Sequence, residues 1–174
     1  MTCDPKDLSS LKFSLDKSLR YHQRRRGFLE TVHRAIMFVV VLTGTAAFAN
    51  IVGQPEILGG LAALLGVIDL TYSPGTRARD HLILHQRISA LLAEITTESS
   101  PSDQDLREWL AERYRVEADE PPIYWALEKD CWNEICFARG KKDAADLYTL
   151  TLAERLFMQV WRFEIATPTP TPTP

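Results

Sequence analysis

The 174-residue sequence predicts an all-α membrane protein. Its centre is a two-helix transmembrane hairpin, extended by long cytoplasmic helices and followed by a small C-terminal helical bundle. Three observations carry this reading. Two apolar runs, residues 35–52 (AIMFVVVLTGTAAFANIV) and 57–73 (ILGGLAALLGVIDLTYS), are separated only by GQPE. Lys and Arg crowd the flanks of the pair and are absent from the turn between the runs. On both sides, Leu and Ile recur at helical spacing.

As a helix each run is about 26 Å long, near the lower limit for crossing a bilayer core. The first run has no ionisable residue and nine of the Leu/Ile/Phe/Val type, together favouring insertion by about 3 to 5 kcal/mol. The second has eight such residues and one charge, Asp69. At the bilayer centre that carboxylate would cost about 2.5 to 3.5 kcal/mol, but it lies a turn from the run's end, within reach of the headgroups. The second span is therefore marginal alone and plausible as the partner of the first. The alternative, a buried hairpin in a soluble helical domain, would need nearly all the remaining chain to cover two all-round apolar helices. A signal peptide fits poorly, because 34 residues precede the first run and a second run follows at once.

Residues 1–34 read as an amphipathic basic cytoplasmic helix, with Pro5 near its start, Leu8, Leu11, Leu15 and Leu19 as its stripe, and Gly27 a possible kink. This segment carries eight Lys/Arg. Arg24, Arg25, Arg26 and Arg34 before the hairpin, with Arg77 and Arg79 after it, are the membrane-orienting residues. They place both termini in the cytoplasm and the turn outside, as expected of an inner-membrane, multi-pass protein. Within the hairpin (35–73), small residues recur at three- and four-residue steps: Thr43, Ala46, Ala47 and Asn50 on the first span, Gly59, Ala62, Ala63 and Gly66 on the second. Such faces let helices approach closely in lipid, either inside the hairpin or between copies in a homo-oligomer. Thr43, Ala47, Asn50, Gly59, Ala63, Gly66 and Asp69 are the candidate oligomer or pore face. Asn50 belongs near the outer face and Asp69 near the cytoplasmic face, so the two do not share a ring, and the favoured role of Asp69 is a pair with Arg77 or Arg79.

Pro74 and Gly75 end the second span. Residues 74–98 form a cytoplasmic stalk helix with Leu84, Ile88, Leu91, Leu92 and Ile95 on one face. His81 and His85, four apart, could share a metal, but no third ligand is evident, and a solvated or packed pair is the expectation. Residues 99–166 read as the small helical bundle. One helix begins at Ser102, capped with Asp105, and runs through about Arg115. The next runs from about Ile123 to Arg139. The last opens on a Thr151/Glu154 capping box and has Leu156, Phe157, Val160, Trp161 and Phe163 as its apolar face. Trp109, Trp125, Trp132 and Trp161 are expected in the bundle core or packed on the stalk rather than forming a ligand cage. Residues 167–174 (TPTPTPTP) are a low-complexity, extended tail.

Other classes find little support. Cys3, Cys131 and Cys136 are wrongly spaced for a metal knuckle or a disulfide framework and read as structural thiols. From Glu98 to Asp130 acidic residues outnumber basic ones ten to four, unlike a nucleic-acid binder. There is no phosphate loop, no GxSxG and no carboxylate pair in an apolar setting, so neither an enzyme activity nor a cofactor is expected.

The layout resembles the SLATT family, the SMODS- and SLOG-associating two-TM effector domains of bacteria. The likeness rests on the basic helix LKFSLDKSLRYHQRRRGFLETVHR running into the first span, the minimal GQPE turn, the Gly-rich second span, and the post-membrane helix RARDHLILHQRISALLAEI. It covers about residues 8–98 and is one of architecture, not of a catalytic signature. The resemblance implies an effector of an antiphage conflict system that forms a pore or disrupts the membrane. Its trigger would be a nucleotide-producing or nucleotide-sensing partner. A non-catalytic anchor or adaptor presenting the C-terminal bundle is the alternative.

Overall fold

The computed structural model describes residues 5–49, 54–141 and 147–163. Asn50, Gly53, Cys3 and the Thr-Pro tail lie outside the described residues. Six helices follow in order: α1 (Pro5–Phe48), α2 (Pro55–Tyr72), α3 (Pro74–Thr97), α4 (Asp103–Ala118), α5 (Trp125–Ala138) and α6 (Leu152–Phe157). The chain divides into two compact units, Met1–Tyr21 with Ile88–Pro174, and His22–Arg87.

The first unit takes part of its core from the stripes expected of α1 and α3, and the rest from α4 and α5. Leu11 and Leu15 of α1, Ile88, Leu91 and Ile95 of α3, Trp109 and Val116 of α4, and Ala126, Leu127, Cys131, Ile135 and Cys136 of α5 are all buried. Leu15, Ile88, Leu91 and Val116 border one small gap, which marks where α1, α3 and α4 meet. Polar groups fix the register. Trp109 Nε1–H donates to Glu94 Oε1 at 2.9 Å, and the Tyr124 backbone N–H donates to the Tyr21 hydroxyl at 3.1 Å. Phe13 meets the Trp132 ring edge-on at 4.7 Å, and Arg139 pairs with Asp16 at 2.7 Å. Both expected capping boxes are formed. The Asp105 carboxyl is held below its ordinary range, chiefly by the Ser102 hydroxyl and then by its backbone N–H. In Glu154 the Thr151 backbone N–H dominates a similar shift.

Several boundaries differ from expectation. α1 runs through Gly27 as one 44-residue helix, so the basic N-terminal helix and the first apolar run are a single element. α4 continues to Ala118, and α5 starts at Trp125, after Pro121 and Pro122. The last helix is corrected most. α6 has only 6 residues, and Leu152, Leu156, Phe157, Val160 and Trp161 are exposed rather than packed. Trp109 alone of the four tryptophans is fully buried, while Trp125 and Trp132 are half-buried.

The second unit holds the hairpin. α2 stops at Tyr72 because Ser73 turns left-handed (φ 44°), and its N–H donates to Asp69 O at 2.7 Å. Pro74 then opens α3 at once, where a missing N–H costs nothing. The break between α2 and α3 is thus one residue, not the Pro74–Gly75 stop read from the sequence.

Candidate functional site

The apolar hairpin surface is the first feature. Phe38, Val41 and Leu42 on α1, and Ile57, Leu64, Val67, Ile68 and Leu70 on α2, are largely exposed. α1 and α2 with α3 contain stretches long and apolar enough to cross a membrane, and only 6% of each such stretch is buried by protein. A core helix of a soluble domain would be mostly covered. Here, Thr43 apart, the runs are a mixture of half-buried and exposed residues, and each Å² of apolar area left in water forgoes roughly 25 cal/mol.

At the base of the hairpin, the structure corrects the partner of Asp69. His33 Nδ1 lies 2.9 Å from Asp69 Oδ1, an α1–α2 link on neither arginine. The His33 ring also backs onto Gly75, where an added Cβ would sit 3.5 Å from it. Arg77 instead stacks over the Tyr72 ring at 4.7 Å, a cation and an aromatic together at the end of the span. Arg79 is exposed. Burying a carboxylate at a span end without a donor is costly, so His33→Ala should destabilise the hairpin by about 1 to 3 kcal/mol. Asp69→Asn in the same chain should recover most of that loss, measured as thermal stability in detergent. Absence of recovery would mean the pair does not hold the hairpin.

A second polar cluster lies in the same unit, at the junction of α1 and α3. His22 and His81, 0% and 4% exposed, face each other with Nδ1 atoms 2.9 Å apart. Two nitrogens at that distance share one proton, so one ring donates and the other accepts. Burial, with His22 and Arg25 nearby, pushes His81 down to about 3. His85 is lowered too, mainly by burial and then by His22 and Arg26. His81 is therefore packed against His22 rather than paired with His85. No group of three or more His, Cys, Asp or Glu is placed to hold a metal among the described residues.

Arg25 requires a correction. It is only 3% exposed, turned into the unit beside the histidines rather than toward headgroups. Tyr21, Arg25 and Leu29 are four apart, and all three are buried. The other orienting residues keep outer positions. Arg26 pairs with Glu30 at 2.7 Å, and Arg34 reaches the same carboxylate at 3.3 Å. Arg24 is half-exposed.

The small residues do not form one buried seam. Thr43 is buried and donates to Val39 O at 2.7 Å, Ala47 is half-buried, and Asn50 is outside the described residues. Gly59 and Gly66 are half-buried, and Ala63 is exposed. A Cβ at Gly44, Gly59, Gly60 or Gly66 would meet no atom within 4 Å. The glycines are thus not required by close approach inside the hairpin, although glycine costs a helix roughly 1 kcal/mol relative to alanine.

Comparison with protein-family models, curated proteins and solved structures finds no match for this chain.

Proposed function

We infer that the protein is a membrane-embedded effector of a bacterial antiphage system, acting without catalysis. Its hairpins gather through the Gly-rich face into a homo-oligomer. That assembly forms a pore or disrupts the inner membrane once a partner or nucleotide signal releases it. The observation that carries this reading is the uncovered apolar surface of α1 and α2, for which the bilayer is the fitting solvent. The asymmetry of Lys and Arg around the turn supports cytoplasmic termini. The layout's resemblance to the SLATT family supplies the effector role. The open space at Gly59 and Gly66 favours contacts with other copies over contacts within the hairpin.

Expression in bacteria with a potential-sensitive dye tests the function. Depolarisation on triggering is expected, and sustained polarisation at high expression, trigger present, would overturn it. Gly66→Leu should weaken crosslinked oligomers by about 1 kcal/mol, roughly fivefold. An unchanged oligomer distribution would remove the glycine face from the proposal.

A second reading, a membrane-anchored adaptor, is favoured by the exposed Leu152, Leu156, Phe157, Val160 and Trp161 on the first unit. It predicts that replacing both spans with an unrelated hairpin preserves function, whereas the effector reading predicts loss.

A further inference from the structure

A groove of about 590 Å³, within the size range of small-molecule sites, lies in the first unit between the start of α1 and the end of α5. Its wall carries Lys6, Arg139 and Lys141 and no carboxylate. A larger cavity of about 750 Å³ in the same unit makes the contrast. There Lys17, Arg113 and Arg162 stand beside Glu117, Glu120 and Glu128, and two of the cations already pair with two of the carboxylates. In a chain of net charge −3, three cations around one hollow are not what composition alone supplies.

The backbone turns the last of these cations onto the groove. Gly140 takes a left-handed φ of 75°, and the Lys141 N–H returns to Cys136 O at 2.9 Å. Lys141 is thereby carried back beside α5, exposed and without a carboxylate partner among the described residues. Arg139 donates from Nη2 to Asp16 and lies over the Phe13 ring at 4.9 Å. A guanidinium has five N–H donors, so others stay available. Walls of one sign focus their field into a cleft and concentrate the opposite charge there. Phe13 and Trp132, edge-on at 4.7 Å, give the groove an aromatic side. The Ser9 and Ser10 hydroxyls add donors, which suits an anion with more than two oxygens.

We propose that this groove binds a small phosphate ester of an aromatic group, its phosphate among Lys6, Arg139 and Lys141 and its ring against Phe13 and Trp132. The site lies wholly within the first unit and depends neither on the hairpin's being in lipid nor on the effector reading. Ligand held there ties the start of α1 to the end of α5.

Full-length protein in nonionic detergent micelles, titrated calorimetrically against empty micelles, tests the assignment. Phenyl phosphate should bind saturably with a Kd below about 1 mM, and inorganic phosphate and phenol each at least about tenfold more weakly. Lys6→Gln and Lys141→Gln together, both at exposed side chains, should weaken phenyl phosphate about tenfold. Arg113→Gln, in the wall of the larger cavity, should leave its affinity unchanged. No saturation by phenyl phosphate, equal affinity for inorganic phosphate or phenol, undiminished affinity in the double variant, or an equal loss in Arg113→Gln would overturn the proposal.

Discussion

Leu64→Arg is expected to move the C-terminus to the other side of the membrane. Leu64 lies in the middle of α2 and is 57% exposed, so the arginine would face lipid with no protein partner at hand. The eight apolar residues of the second run favour insertion by only about 2 to 5 kcal/mol, and Asp69 already opposes it. An arginine at mid-span adds about 2.5 to 3.5 kcal/mol to the cost. The second span then fails to insert, while the first, with no charge of its own, still does. A C-terminal phosphatase fusion, silent in the wild type, should become active, and Leu64→Ala should leave it silent. A silent fusion in Leu64→Arg would mean that α2 is not a span.

Acidification is expected to weaken the His22–Arg87 unit well above the range where carboxylates titrate. His81 sits at about 3 in the fold against 6.5 as a free side chain. Between those values the unfolded chain binds a proton that the folded chain refuses, so stability is full above 6.5 and falls as pH drops. At about pH 5 the loss is about 2 kcal/mol, and by about pH 3 it approaches about 5 kcal/mol. His22, whose Nδ1 lies 2.9 Å away, and the Arg25 guanidinium both oppose a charge on His81. Asp105 and Glu154, whose lowered values stabilise above the free carboxylate range, lose their contribution only at lower pH. Denaturation in detergent at about pH 7.5 and about pH 5 separates the two, and His81→Leu should flatten the difference. Equal stability of the wild type at both values would contradict a His81 held neutral by burial.

Much of the fold is legible in the sequence because bilayer insertion and helix capping are local. Apolar runs with at most one charge announce α2 and the second half of α1, and Ser102/Asp105 and Thr151/Glu154 announce their helix starts. The polar links are not local. His33 and Asp69 are 36 positions apart, and His22 and His81 are 59 apart, so their pairing follows from how helices meet, which one helix's periodicity cannot state. A signal for Arg25 was present: Tyr21 and Leu29, four positions either side, place it on their buried face, which Arg24 and Arg26 at about 100° to each side do not share. α6 misled for the opposite reason. Its apolar period is genuine, but the helix is only 6 residues long and touches α5 through its polar side, where Lys129 pairs with Glu154, so Leu152, Leu156 and Phe157 stay exposed. The small-residue stripe shows the same limit, since spacing alone does not distinguish contacts within one hairpin from contacts between copies.

The account rests on lipid as the solvent of α1 and α2, and fractionation of the expressed chain tests that most directly. The protein should stay with membranes through an alkaline carbonate wash, float with them on a density gradient, and come free only in detergent. A monodisperse protein in detergent-free buffer after high-speed centrifugation would contradict it.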